Sequence, residues 1–110
     1  MTFDEYQKQA LTTAITYPDP LMDKTIWVMG VAGEAGEVLE KWKKIIAYKD
    51  GVITDEDRTE LGKELADVVW YIAVMAERLG LSFDDLMAQN LAKLKSRKER
   101  GTLKGAGDNR

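Results

Sequence analysis

The chain has 110 residues, 45% of them hydrophobic and 32% charged, and it contains no Cys and no His. A chain of this size and composition is typical of one globular domain, here residues 1–110. The missing residue types exclude a disulfide framework, a Cys/His zinc site, a histidine base and a cysteine nucleophile. We therefore expect chemistry from carboxylates, Lys, Tyr, Ser or Thr, or from Mg²⁺ or Mn²⁺ bound through oxygen.

The formal net charge of −3 is unevenly distributed along the chain. Residues 93–110 carry seven Lys or Arg against two acids, a net charge of +5. This basic stretch is either a solvated helix end or a contact for a small polyanion or nucleic acid. No run of about 20 apolar residues occurs, so no membrane span is expected. The first five residues lack the basic and apolar regions of a signal peptide, which predicts a cytoplasmic protein.

Prolines separate the first two predicted helices. Helix 1 spans residues 3–16, with Thr2 or Asp4 near its N-cap. Pro18 and Pro20 end it, because a proline bars the preceding residue from the helical region. No strand alternation competes here or further along the chain, so the predicted fold class is all-α.

The next two helices are the longest. Helix 2 begins near Asp23, a natural N-cap, and runs to about Ala47. Thr54 followed by Asp57 resembles a capping box that opens helix 3, which runs to about Leu79. Because the connection between them is short, we expect these helices to be antiparallel neighbours.

A fourth helix completes the predicted fold. Gly80 suits the position after helix 3, and Ser82 with Asp85 repeats the capping pattern for helix 4, residues 83–99. Residues 100–110, which are basic and contain three glycines, are predicted to form a flexible tail or lid. The prediction is a four-helix bundle with two long antiparallel central helices.

Each long helix carries two carboxylates three residues apart: Glu34 and Glu37 on helix 2, and Glu64 and Asp67 on helix 3. At about 100° per residue, each pair borders the apolar stripe of its helix with the same offset and handedness. Antiparallel packing through the stripes therefore brings four carboxylates to one seam. Like charges raise one another's pKa there unless a divalent cation offsets them. The alternative is two solvated acidic faces, with Glu37 paired to Lys41 at i, i+4.

Aromatic residues and glycines border the same predicted seam. Tyr71 lies one helical turn past the second acid pair. Trp27 lies two turns before the first pair, and it either offers an aromatic platform above the acids or packs in the core. Gly30, Gly33 and Gly36 form a track, and glycine is costly in a helix interior. The track therefore suggests the close approach of another helix or a ligand.

Asn90 interrupts the apolar stripe of helix 4, and Lys93 and Arg97 follow it on the same line. A buried amide needs hydrogen-bond partners, and two cations beside it suit an anion such as phosphate. The alternative is an Asn that is satisfied by a backbone carbonyl, with both cations in solvent.

Three stretches of the chain, in order, resemble the MazG-like all-α nucleoside triphosphate pyrophosphohydrolases. They are Gly33–Lys41, Glu64–Tyr71 and Asn90–Leu94. Tyr6-Gln7, Arg100–Leu103 and Gly107–Arg110 look like the short branch found in phages and bacteria, related to the dCTP pyrophosphatase-like enzymes. The resemblance covers nearly the whole chain.

The family motif is often written Glu-Glu-x-x-Glu followed by Glu-x-x-Asp, and Gly33 replaces its first Glu here. The resemblance implies that the other acids bind Mg²⁺, with Mn²⁺ as a substitute, while Gly33 leaves the number of ions open. The implied metal ligands are Glu34, Glu37, Glu64 and Asp67. The catalytic candidates are Glu37, as general base, and Glu34. The candidate substrate contacts are Tyr71, Asn90, Lys93, Arg97 and Trp27.

The resemblance implies hydrolysis of a nucleoside triphosphate, preferably a dNTP, to monophosphate and pyrophosphate, as a nucleotide-pool house-cleaning activity. It also implies a homodimer or homotetramer with sites near subunit contacts. The tail is then a triphosphate lid rather than a nucleic-acid arm. Two alternatives are a non-catalytic helical module that binds a nucleotide or a partner, and a nucleic-acid-binding bundle whose affinity falls steeply with salt.

Overall fold

The structure is a computed structural model that describes residues 1–110 and contains four α-helices joined by short connections. The helices are α1 Phe3–Leu11, α2 Pro20–Tyr48, α3 Asp55–Arg78 and α4 Phe83–Glu99. No strand is present, which confirms the all-α prediction. None of the four helices is long and apolar enough to cross a bilayer.

Local capping sets three of the four helix starts as predicted. Thr2 and Glu5 form a reciprocal capping box at α1, and Thr54 and Asp57 form another at α3. Ser82 caps α4 by accepting a hydrogen bond from a backbone N–H of the first turn. These side chains satisfy helix N–H groups that have no partner within the helix.

Helix α1 is shorter than predicted, because it ends at Leu11 rather than at residue 16. The hydroxyls of Thr12 and Thr13 donate hydrogen bonds to carbonyls three residues earlier. Such local bonds compete with continued helix. The residues beyond are held by a distant side chain, since Arg78 donates to the carbonyl of Ile15 and to the hydroxyl of Thr16.

Helix α2 begins at Pro20 with Asp19 as its N-cap, so the prediction of Asp23 as the cap was wrong. Proline suits the first helical turn, where its missing N–H is not needed. Asp23 is instead buried, and it accepts hydrogen bonds from the backbone N–H of Tyr17 at 2.9 Å and from Arg78 Nε at 2.7 Å. These donors hold the pKa of Asp23 below its usual value, so its carboxylate stays charged.

Helices α2 and α3 pack antiparallel, as predicted, and ion pairs mark both ends of their contact. At one end Arg78 Nε lies 2.7 Å from Asp23 Oδ2, and at the other end Lys49 Nζ lies 2.6 Å from Asp57 Oδ1. As the residue numbers rise along α2, the numbers of their partners on α3 fall. This register places the middle of one helix, where its acid pair lies, opposite the middle of the other.

Helix α2 packs closely only against α3, although the small buried core contains a residue from each of the four helices. No Cα atom of α2 lies within 8 Å of one in α1 or α4. The radius of gyration is 17.0 Å, whereas a compact chain of this length has about 13 Å. Only 11 of 110 residues are buried, so much apolar side-chain surface is left uncovered. The buried apolar cluster consists of Ala10, Trp27, Ala73, Val74 and Phe83.

Gly30 lets an aromatic ring pack directly against the α2 backbone. A Cβ atom at Gly30 would meet the Tyr71 ring at 2.1 Å, far inside van der Waals contact. The predicted close approach is therefore confirmed at this glycine, and the approaching group is the Tyr71 side chain. Cβ atoms at Gly33 and Gly36 would have no neighbour within 4 Å, so the α2 surface is open at these two positions.

Replacing Gly30 by Ala is expected to destabilise the fold by about 1–3 kcal/mol, because the added methyl group displaces the Tyr71 ring. Gly62→Ala is the matched control, since its Cβ would have no neighbour within 4 Å. Ala also favours helix there by about 0.5–1 kcal/mol. Urea unfolding followed by circular dichroism measures both variants. Equal stability of Gly30→Ala and wild type would contradict this packing.

Candidate metal centre

The contact between α2 and α3 brings three carboxylates together. Oxygen atoms of Glu34, Glu64 and Asp67 all lie within 4.8 Å of one another. Glu34 and Glu64 are half-buried and Asp67 is exposed, so the group is open to solvent on one side. Three converging carboxylate oxygens with an open side fit a hard divalent cation, which prefers oxygen ligands and retains bound water.

The carboxylate cluster, Glu34, Glu64 and Asp67, is electrostatically strained when no cation is bound. Burial raises the pKa of Glu34, and the charges of Asp67, Glu64 and Glu37 raise it further. A carboxyl–carboxyl hydrogen bond with Glu64 adds to this shift. This is the like-charge effect that the sequence predicts for the seam, and bound positive charge relieves it.

Glu37 stands beside the cluster rather than in it. It lies one turn beyond Glu34 on α2, it is exposed, and its oxygens are not among those that converge. Its charge is still close enough to raise the pKa of Glu34. The structure therefore brings three of the four predicted ligands together and places the fourth at the solvent side.

Lys41 is a site neighbour that sequence reasoning missed. The i, i+4 spacing suggests a pair with Glu37, but the ammonium reaches across to α3 instead. Lys41 Nζ lies 3.4 Å from Glu64 Oε1 and 3.7 Å from Glu60 Oε2. The axial alignment of the two helices determines this contact, and residue spacing within one helix does not reveal it. The sequence signal that could have identified the contact is the antiparallel pairing of the two acid motifs, which brings Lys41 opposite Glu64.

Aromatic side chains form an apolar cluster at the α2–α3 contact, toward its Asp23–Arg78 end. Trp27 is 4% exposed, and its ring centroid lies 5.1 Å from that of Trp70 and 5.3 Å from that of Tyr71. The core alternative therefore describes Trp27, and no face of its ring is free as a platform for a ligand. Tyr71 is half-buried, one helical turn past Asp67 on α3. Tyr6 on α1 is close enough to Asp67 for that charge to raise its pKa, in addition to the larger effect of burial.

The predicted anion line on α4 is engaged by the chain's own tail, residues 100–110. Asp108 Oδ1 lies 2.9 Å from Lys93 Nζ and 3.1 Å from Arg97 Nη2, and these cations lower the pKa of Asp108. Arg97 is buried, so it is not the solvent-exposed cation of the alternative interpretation. Asn90 is exposed rather than buried, and it lines a cavity of about 400 Å³ together with Lys93 and Asp108.

The α4 line makes no ion pair with the carboxylate cluster. Helix α4 contacts α3, which carries Glu64 and Asp67, but its Cα atoms stay more than 8 Å from those of α2. Lys93 and Arg97 pair with Asp108 of the tail rather than with an acid of the cluster. Of the predicted substrate contacts, only Trp27 and Tyr71 lie on α2 or α3. Trp27 is in the buried core, whereas Tyr71 is half-buried and packs against the α2 backbone at Gly30.

The raised pKa of Glu34 predicts a pH-dependent penalty in metal-free protein. A folded-state pKa above the unfolded value gives stability that is full at low pH and is lost as the pH rises. Glu34→Gln removes this dependence, so the variant should gain on wild type in melting temperature between about pH 4 and about pH 7. Mg²⁺ should then raise the melting temperature of wild type more than that of the variant. A constant difference across this pH range would contradict the strained cluster.

Comparisons with known proteins agree with this geometry. A family model described as the MazG nucleotide pyrophosphohydrolase domain matches residues 24–102, which hold both acid pairs. The chain is also similar to the gene 37 protein of Mycobacterium phage L5, with 47% identity over 115 aligned positions that cover all of both proteins. No solved structure matches the chain. Since the family model covers well over half of the sequence, the chain belongs to the MazG nucleotide pyrophosphohydrolase family.

Proposed function

We propose that this protein hydrolyses nucleoside triphosphates, preferably dNTPs, to monophosphate and pyrophosphate in a Mg²⁺-dependent reaction. The observation that carries the proposal is the convergence of Glu34, Glu64 and Asp67 in a chain of this family. Three converging acids repel one another when no cation is bound, since the charges of Asp67, Glu64 and Glu37 add to burial in raising the pKa of Glu34. The cluster has a favourable role as a ligand set for a cation, which Mn²⁺ can also fill.

The position of each acid at the seam suggests its role in the proposed reaction. Glu34, Glu64 and Asp67 hold the cation, which supplies charge neutralisation at the phosphates and lowers the pKa of bound water. Glu37 is exposed beside them, and with no His in the chain it is the proposed general base that takes the proton of the attacking water. Glu34, with its raised pKa, is the second candidate for this proton.

The substrate contacts call for more than one copy of the chain. Tyr71 lies one turn past Asp67 on α3, but Asn90, Lys93 and Arg97 lie on α4, where the two cations pair with Asp108 of the tail and with no acid of the cluster. A radius of gyration of 17.0 Å against about 13 Å for a compact chain also indicates a protomer built to pack against others. We propose a homodimer or homotetramer in which α4 and the tail of one copy cover the cluster of another.

Exposed apolar side chains support this assembly. Seven large apolar residues are more than half exposed on the helices that carry the predicted sites. They are Leu21, Met29, Leu39, Ile46, Tyr48, Leu65 and Leu91. Each one that a subunit contact buries completely would contribute about 1.5–3 kcal/mol to offset the cost of association. Residues 1–110 are then one domain of a cytoplasmic house-cleaning enzyme, and residues 100–110 act as its lid.

A non-catalytic module of the same fold is the second candidate. It is favoured by one observation, the presence of Gly33 where the family motif often has an acid. The two candidates differ in whether bound nucleotide is cleaved, and both differ from a nucleic-acid-binding bundle, whose affinity falls steeply with salt.

Purified protein is expected to release pyrophosphate, and no inorganic phosphate, from at least one member of a panel of common and modified dNTPs and NTPs when Mg²⁺ is present. Chelation of the metal should abolish turnover, and Mn²⁺ should restore part of it. Coupled pyrophosphate and phosphate assays on the same samples separate this cleavage from γ-phosphate release. Binding without turnover on the whole panel would favour the non-catalytic module.

Glu37→Gln and Asp67→Asn are each expected to lower turnover by about 10²-fold or more, because each removes a charge needed at the reacting phosphates. Glu56→Gln is the matched control, since Glu56 is an exposed acid in the first turn of α3, about two helical turns before Glu64, and is not part of the cluster. Circular dichroism should show the same helix content in all three variants. Full activity in either site variant would remove that residue from the catalytic set.

A further inference from the structure

We propose that Lys41 is a contact for the substrate's phosphates, held by Glu64 when the carboxylate cluster is free of metal and released toward the phosphates when the cluster binds its cation. This inference rests on the proposed function, and it adds a residue that neither the acid motifs nor the α4 line supplies. Lys41 is the basic residue whose ion pair reaches the cluster itself, since its ammonium lies 3.4 Å from Glu64 Oε1.

The ion pairs of Lys41 are loose. Its ammonium lies 3.4 Å from Glu64 and 3.7 Å from Glu60, both beyond the 2.7–2.9 Å of a strong charge-assisted hydrogen bond. Two nearby pairs are tighter, with Lys49 at 2.6 Å from Asp57 and Lys63 at 2.8 Å from Glu60, whereas Lys44 lies 3.7 Å from Glu40. Lys63 takes Oε1 of Glu60 and Lys41 faces Oε2 at the longer distance, so the three donors of Lys41 have no short partner.

The space beside Lys41 suits an anion. A cavity of about 240 Å³ opens beside Lys41, at the Lys49–Asp57 end of the helix contact, and three lysines line it: Lys41, Lys44 and Lys49. Against these three positive charges the lining holds two acids, Asp57 and Glu60, so its net charge is positive, although Lys44 also lies 3.7 Å from Glu40 outside the cavity. An ammonium group is a compact point charge with rotating donors on a flexible stem, which suits it to phosphate.

Electrostatic repulsion explains why Lys41 would exchange Glu64 for a phosphate when a cation binds to the cluster. Without metal, the cluster carries up to three negative charges, and Lys41 offsets part of them through Glu64. A divalent cation among the same oxygens takes over that role and repels the ammonium. Lys41 is then free to meet the next negative group to arrive, which at this site is a phosphate.

The test compares Lys41→Gln with Lys43→Gln, which removes the same charge two residues away. Lys43 is exposed and pairs only with Glu40, at 2.9 Å, so it has no contact with the cluster. Mn²⁺ binding without nucleotide is followed by electron paramagnetic resonance, and binding of inorganic tripolyphosphate to the Mn²⁺-loaded protein by calorimetry. Lys41→Arg is the conservative variant, and circular dichroism verifies that each variant is folded.

Lys41→Gln should bind Mn²⁺ about threefold to fivefold more tightly than wild type, because a competing charge is gone. It should bind tripolyphosphate about tenfold more weakly, because a charge-assisted contact is lost. Lys41→Arg should keep most of the tripolyphosphate affinity, and Lys43→Gln should match wild type in both measurements. Unchanged tripolyphosphate binding by Lys41→Gln, or weaker Mn²⁺ binding, would overturn the inference.

These readouts separate the two proposals. If wild type hydrolyses nucleotides and Lys41→Gln has the same KM, the proposed function stands and the role of Lys41 is refuted. If wild type hydrolyses no nucleotide, and Lys41→Gln still binds tripolyphosphate more weakly and Mn²⁺ more tightly than wild type, Lys41 is an anion contact in a binding module.

Discussion

The antiparallel packing of α2 against α3 is the interaction on which the rest of the structure depends. It turns two i, i+3 acid pairs, each unremarkable on its own helix, into one converging set. Asp23–Arg78 at one end and Lys49–Asp57 at the other hold the register, and both aspartates are charge-stabilised: the pKa of Asp57 is lowered to about 2, chiefly by Lys49. A slip of one helical turn would separate the acids by more than 5 Å.

The helix contact combines repulsion between carboxylates with favourable aromatic packing. On the same two helices as the acids, Trp27, Trp70 and Tyr71 pack edge to face or tilted, with centroids 5.0–5.3 Å apart, and Gly30 lets Tyr71 approach the backbone. This apolar packing stabilises the helix contact while the carboxylates oppose it. Under the proposed function a bound cation would supply the chemistry and would also remove the repulsion that packing must otherwise overcome.

Much of this fold follows from local sequence signals. Three N-caps, Thr2, Thr54 and Ser82, were predictable because each acts within one helical turn. The end of α1 and the start of α2 also have local determinants, the hydroxyls of Thr12 and Thr13 and the Asp19 cap, but helical periodicity alone does not show them. The burial of Asp23 was not predictable, because its partner Arg78 lies more than 50 residues away. Helix periodicity contains no information about that distant guanidinium.

The same distinction holds for the site. The acid positions were predictable from helical angle, since two equal offsets meet across an antiparallel contact. The alternative of solvated acidic faces pairs Lys41 with Glu37 on its own helix, whereas its partners lie on α3. The partner of Lys93 and Arg97 was also missed, because Asp108 lies in a tail with no periodicity to place it. Contacts that depend on register or on irregular backbone are those that a periodic pattern leaves undetermined.

The most direct test of the central claim is a crystal structure of the protein soaked in Mn²⁺, with the ion located by its anomalous scattering. The account predicts a peak among the carboxylates of Glu34, Glu64 and Asp67, with the Lys41 ammonium turned away from Glu64. A peak at another position, or none in crystals that contain millimolar Mn²⁺, would contradict the assignment of this seam as a metal centre.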